Sequence, residues 1–135
     1  MIVDTSALLA YFDGNEPDHQ AVSRVIDSSE ELLVVSPYVV AELDYLVGTR
    51  VGVDAEVAVL RELSSGAWEL ADFSVAELER AVPIIKKYRD QRVGIADASN
   101  VVLADRYRTR TIVTLDRGHF TVLRPIGGGR FAVRP

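Results

Sequence analysis

Met1-Ile2-Val3-Asp4-Thr5-Ser6-Ala7 opens the chain with a short apolar run that passes straight into residues suited to start a helix. Thr5 or Ser6 can cap a helix predicted over residues 7–12, and Gly14, Asn15 and Pro17 then break the chain. This unit of buried strand and following helix recurs downstream. A helix is predicted over 19–28, with Ala21, Val22, Val25 and Ile26 on one face, and Leu32-Leu33-Val34-Val35 reads as a buried strand. Ser36 is a fitting N-cap, with Pro37 at the first helical position, where a missing N–H costs nothing. That helix is expected to reach about residue 49, and a second to run over 54–65 and stop at Gly66. Residues 67–71 alternate weakly, as a strand does. Ser74 and Glu77 form a capping box opening a long helix to about residue 92, which Pro83 is expected to kink. A helix from residue 97 to 107, a β-branched strand over 111–115 and a last edge strand at 131–133 complete the pattern. Short apolar strands alternating with amphipathic helices imply an α/β fold with a parallel sheet covered on both faces. Glycines 127–129 lack the helix that follows a phosphate-cradling loop and read as a turn.

The 135 residues are 48% apolar and 26% charged, which fits one globular domain spanning 1–135. Cysteine is absent, so disulfides, thiolate–zinc sites, iron–sulfur clusters and thiol nucleophiles are excluded. No apolar run approaches the ~18 residues of a membrane span, and the start lacks a basic region or cleavage site, so a cytoplasmic protein is expected. The net charge of −5 argues against a protein that coats nucleic acid non-specifically. It hides a polarity: residues 1–79 hold 3 basic and 16 acidic side chains, whereas residues 80–135 hold 12 basic and 4 acidic. Lys86, Lys87, Arg89, Arg92, Arg106, Arg108 and Arg110 are therefore either ordinary solvated residues or a basic surface suited to RNA.

In open parallel sheets, ligands bind beyond the carboxyl ends of the strands. Asp4 ends the first strand there, and Asp116 follows the strand that contains Thr114. Either one is also a reasonable helix cap. Glu42 has Tyr38, Val39, Tyr45 and Leu46 as its helical neighbours, so it is expected to face or border the core. Tyr38, Val39, Val40 and Tyr45 suit a core or an interface equally. Asp97 starts the helix after Gly94-Ile95-Ala96, as a first-turn acid or as a site residue. If the fold gathers these four acids, two unit charges about 4 Å apart repel by roughly 4 kcal/mol at an effective dielectric near 20. Such a cluster must take up protons or a cation, and all-carboxylate ligands select a hard one, Mg²⁺ or Mn²⁺. His19 and His119 lack a partner at metal-binding spacing and are expected on the surface. No Gly-x-Ser-x-Gly elbow supports a serine triad.

The four acids with their flanks resemble the motifs of PIN-domain nucleases. The matching segments are Ile2-Val3-Asp4-Thr5-Ser6-Ala7, Glu42 in Ser36-Pro37-Tyr38-Val39-Val40-Ala41-Glu42, Asp97 in Ile95-Ala96-Asp97-Ala98, and Asp116 in Thr114-Leu115-Asp116-Arg117-Gly118-His119-Phe120. Length and motif order are most similar to the VapC-type toxins of bacterial toxin–antitoxin pairs. The resemblance implies a three-layer α/β/α sandwich with a mainly parallel central sheet and an acidic pocket at its carboxyl edge. It further implies Mg²⁺- or Mn²⁺-dependent endoribonuclease activity. Asp4 and Asp97 match the principal metal ligands, and Glu42 and Asp116 complete the site. Ser6 and Thr114 match residues that support the pocket by hydrogen bonding, with Thr5 beside them. Homodimers, and hetero-oligomers with a cognate antitoxin that can place a basic side chain in the acid cluster, are implied as well.

Two other functions remain open on the residues alone. An aspartyl-nucleophile phosphatase also places an Asp after its first strand, but it carries a second Asp two positions on, where this chain has Ser6. A non-catalytic module of the same fold would hold RNA or protein without needing the four carboxylates.

Overall fold

The structure, a computed structural model, describes residues 1–135. Five short strands form one sheet, all neighbours parallel, in the order β3-β2-β1-β4-β5. They are β1 (Ile2–Val3), β2 (Val34–Val35), β3 (Glu69–Leu70), β4 (Thr111–Val113) and β5 (Ala132–Arg134). The helices are α1 (Thr5–Phe12), α2 (His19–Asp27), α3 (Pro37–Arg50), α4 (Val53–Leu63), α5 (Val75–Lys87), α6 (Ile95–Arg106) and α7 (Arg117–Val122).

Side chains alternate across a strand, and that alternation builds two cores. Val3, Val35 and Val113 face one side with Leu8, Val39, Leu43 and Leu63 of α1, α3 and α4. Ile2, Val34 and Ile112 face the other with Ala81, Val101, Leu103 and Phe120 of α5, α6 and α7. The result is the expected three-layer α/β/α sandwich. Parallel neighbours need crossover helices. The chain steps outward from β1 to β3 across the first face, then returns over the second to lay β4 against the free side of β1. The direction of winding reverses between β1 and β4, which is where open α/β sheets form their ligand crevice.

Several local expectations hold. Ser36 Oγ accepts from Tyr38 N at 3.2 Å with Pro37 first in α3. Ser74 and Glu77 close a reciprocal capping box on α5. Others are corrected. The strands are two or three residues long, and Leu32 is 61% exposed instead of extending β2. Helix α1 begins at Thr5, one residue after Asp4, so neither Thr5 nor Ser6 is its cap. Helix α5 stops at Lys87. A 3-10 turn at Arg89–Gln91 follows, and Arg92 then takes a left-handed backbone (φ 53°), which no helix can continue through. Helix α7 was not expected: six residues with a glycine and two β-branched side chains carry little helical signal. Gly128 and Gly129 adopt positive φ in the turn before β5.

Candidate active site

Asp4 follows β1 directly, and its backbone N–H still belongs to the ladder, donating to Val113 O at 2.9 Å. Its side chain does not cap α1. It turns instead into the crevice between β1 and β4, almost wholly buried. Asn100 Nδ2 donates to Oδ1 at 3.0 Å, while Thr114 Oγ1 and Ser6 Oγ reach Oδ2 at 2.9 and 3.3 Å. Ser6 and Thr114 also bond each other at 3.0 Å. Ser6 Oγ accepts from Leu115 N at 2.9 Å, and Thr114 Oγ1 accepts from Asp116 N at 3.0 Å. The two hydroxyls therefore lock the end of β1 to the end of β4 beneath the Asp4 carboxylate. Thr5 lines the same hollow and is buried, with its Oγ1 unpartnered.

Asp97 sits in the first turn of α6, third residue rather than first. Asp116 caps α7, its Oδ1 accepting from His119 N at 3.1 Å, so the helix-cap reading of Asp116 is realised alongside its place at the crevice. Glu42 projects from the middle of α3 and is exposed, contrary to the expectation that it borders the core. The reason is helical phase: Val39, Leu43 and Val47 form the buried stripe of α3, and Tyr38, Glu42 and Leu46 turn toward the crevice wall. Tyr45 lies further round and is 68% exposed. The buried Ser36–Ser99 hydrogen bond, 2.6 Å, fixes the start of α3 against α6 and so sets Glu42 relative to Asp97.

All four acids line one hollow of about 720 Å³. No three of them converge on a single ligating point, so a cation in this hollow would be held partly through water. Its electrostatics are strained. Asp4 is held above the usual carboxylate range, chiefly by burial and also by the charge of Glu42, against the hydrogen bonds from Thr114 and Ser6. Asp97 is pushed up to about 6 by burial first and by the charge of Asp4 next. The nearby Asp116 adds to this, and His119 opposes it. Oxygen donors whose negative charge is this poorly compensated fit a hard divalent ion.

His119 overturns one expectation. It lines the hollow, with Nδ1 2.8 Å from Asp97 Oδ2 and 3.1 Å from Asp116 Oδ2. Asn100 is the other residue that sequence reading missed. One turn after Asp97, a polar amide stands among Ala98, Val101, Val102 and Leu103, all buried, and that was the available signal. His19 is half-buried, with Nδ1 2.8 Å from Ala10 O, far from the crevice in role.

The seven basic residues separate. Arg92 lies on the rim of the acidic hollow. Lys86 and Lys87 end α5 and Arg89 opens the 3-10 turn after it, all three exposed, ahead of the first turn of α6, which carries Asp97. Arg106 is committed elsewhere, bonding Asp72 and Glu77 at 3.0 and 2.9 Å and lying over the Tyr107 ring. Arg108 and Arg110 border a hollow with Met1, Leu32 and Thr111 at the amino ends of the strands, the opposite edge of the sheet.

No helix is long and apolar enough to cross a membrane. Residues 1–123 match the family model of the PIN domain. The chain is 76% identical over 135 residues, all of both chains, to Ribonuclease VapC26 of Mycobacterium tuberculosis (strain ATCC 25618 / H37Rv). Among solved structures it is similar to Mycobacterium tuberculosis VapC20, described as a sarcin-ricin loop cleaving toxin. There the TM-score is 0.84 at 20% identity, covering 99% of this chain and 98% of that one. A toxin–antitoxin complex from Klebsiella pneumoniae gives 0.70 at 17% identity, covering 90% and 91%. At these identities the structural matches speak for the fold. The family match and the full-length relative go further, and the chain belongs to the PIN-domain family as one of its VapC-type members.

Proposed function

We propose that residues 1–135 act as one PIN-like domain, a Mg²⁺- or Mn²⁺-dependent endoribonuclease that is the toxin of a toxin–antitoxin pair. The observation that carries this reading is the meeting of Asp4, Glu42, Asp97 and Asp116, from four separate elements, on one hollow at the switch point of the sheet. The relative at 76% identity is named a ribonuclease, and the Klebsiella pneumoniae structure is of a toxin with its antitoxin.

Asp4 and Asp97 would hold the cation, with Asp116 joining directly or through water. When bound, a divalent ion supplies charge neutralisation for the phosphodiester and lowers the pKa of water toward neutrality. Asn100, Thr114 and Ser6 hold the Asp4 carboxylate in one orientation, so little rearrangement is needed when a cation arrives. Glu42, exposed on the crevice wall, is placed to orient the attacking water and accept its proton. Water adds to phosphorus and gives its proton to the Glu42 carboxylate, while the ester P–O bond breaks and the departing oxygen takes up a proton from solvent.

An acidic crevice repels RNA, so approach needs local cations. Arg92 with Lys86, Lys87 and Arg89 is suited to contact phosphates beside the crevice, sequence-independently. Arg106 is bound up in ion pairs, and Arg108 and Arg110 lie at the far edge, so these three would touch only RNA that reaches round the domain. A cognate antitoxin carrying a basic side chain would fit the same acidic hollow. A homodimer, a hetero-oligomer with that antitoxin, and a cytoplasmic setting complete the reading. The phosphatase alternative gains nothing, because Ser6 is tied to Asp4, Thr114 and Leu115.

The test is to map RNA cleavage sites with the parent and Asp4→Asn proteins, with and without Mg²⁺. Asn keeps the shape of Asp4, and the hydroxyls of Thr114 and Ser6 can accept where they donated. The variant is therefore expected to fold and to cleave nothing. Cleavage by Asp4→Asn at the parent's rate, or parent cleavage unaffected by chelation, would refute the proposal.

A further inference from the structure

His119 has no task in the chemistry above, yet it touches two of the four acids. Its Nδ1 lies 2.8 Å from Asp97 Oδ2 and 3.1 Å from Asp116 Oδ2. Its backbone N–H holds Asp116 Oδ1 as well. One imidazole N–H cannot point straight at two oxygens. Nδ1 lies between them, within ion-pair distance of both and in line for a hydrogen bond to neither.

The contrast with Asp4 gives this contact its meaning. Asp4 is held by three side chains. Asp97 is only 15% exposed, and His119 is the only side chain within bonding distance of it. Without that contact, a poorly solvated carboxylate beside two like charges would turn away from them toward water.

We propose that His119 is a positioning residue, whose Nδ1 pins Asp97 Oδ2 beside Asp116 Oδ2 and thereby leaves Asp97 Oδ1 presented to a divalent cation. The proposal rests on the nuclease reading of this hollow. A polar partner held against a ligating carboxylate orients it, and losing such a partner typically lowers metal affinity about 10- to 100-fold.

The stereochemistry supplies the experiment. An Asn amide nitrogen takes the place of imidazole Nδ1, whereas a Gln amide nitrogen reaches the place of Nε2. Mn²⁺ is titrated by calorimetry, without RNA, into the full-length parent and into H119A, H119N, H119Q and D97N, each first checked for folding by thermal unfolding in chelator. H119A and H119Q are expected to bind Mn²⁺ at least tenfold more weakly, and H119N to stay within about threefold of the parent. H119A binding like the parent, H119N as weak as H119A, or H119Q restoring binding as well as H119N would each overturn the assignment. If H119A does not fold, the comparison of H119N with H119Q decides alone. D97N separates the two levels of inference. Lost binding in D97N with intact binding in H119A removes only the role of His119, whereas D97N binding like the parent, or a parent that takes up no Mn²⁺, removes the metal site and this proposal with it.

Discussion

Neutralising Asp97 should stabilise the metal-free protein while destroying its metal site. The Asp97 carboxyl is moved from 3.8 to about 6, so its charged form carries a penalty of about 3 kcal/mol at 1.36 kcal/mol per tenfold. Because the folded value lies above the unfolded one, the folded state holds its proton more tightly. That stabilising difference is complete below about pH 4 and is lost as the pH rises through about 6. Asn at this position mimics the protonated acid at every pH. In chelator at pH 8, Asp97→Asn should therefore be about 2–3 kcal/mol more stable than the parent, some of the penalty being screened by water. At roughly 3–4 °C per kcal/mol for a domain of this size, Tm should rise by about 6–12 °C. At pH 4 the two proteins should unfold alike. Adding Mn²⁺ at about 100 times its Kd stabilises the parent by roughly 2.7 kcal/mol and leaves the variant unmoved, which nearly closes the gap. Urea unfolding of both proteins across pH 4–8, in chelator and in Mn²⁺, measures every term. A variant no more stable than the parent at pH 8, or a difference that does not change with pH, would refute the account of Asp97 as a penalised charge.

Asn100→Ala removes a buried hydrogen bond to the Asp4 carboxylate and should cost about 2 kcal/mol in urea unfolding, since bonds to charged groups are worth roughly 1.5–3 kcal/mol. Ser36→Ala loses both the N-cap of α3 and the bond to Ser99, and a loss of about 1–3 kcal/mol is expected by the same assay. Arg92→Gly places the residue that favours φ 53° where an arginine now stands, so stability should change by less than about 1 kcal/mol while KM for RNA rises. Arg106→Ala should leave the kinetics of RNA cleavage unchanged and cost about 1–2 kcal/mol, because its pair with Asp72 faces solvent while its other partner, Glu77 on α5, is only 13% exposed.

The legibility of this chain varies with how local each signal is. Ser36-Pro37 and Ser74 with Glu77 act within one turn of helix, and both caps stand where the sequence puts them. The residues 2–3, 34–35 and 112–113 read as buried from their own apolar character, and they lie at the centre of the sheet. Glu42 reads as bordering the core because its four helical neighbours are all apolar or aromatic. Helical neighbours do not reveal that Val39, Leu43 and Val47 are the ones that meet the sheet. His119 was missed for a related reason: its partners are Asp97, on another element, and Asp116, three residues earlier, and a spacing rule for metal ligands registers neither contact.

The amino-acid sequence by itself determined the alternation of strand and helix, the layered α/β class and which four acids are candidates for the site, because these rest on periodicity and on short motifs. Only the tertiary structure decided that β4 returns beside β1. That single adjacency puts Thr114 beneath Asp4, brings Asp116 and His119 to Asp97, and sends Arg108 and Arg110 to the opposite edge. The physical reason is that charge repulsion and hydrogen bonding act over a few ångströms in space, whatever the separation along the chain.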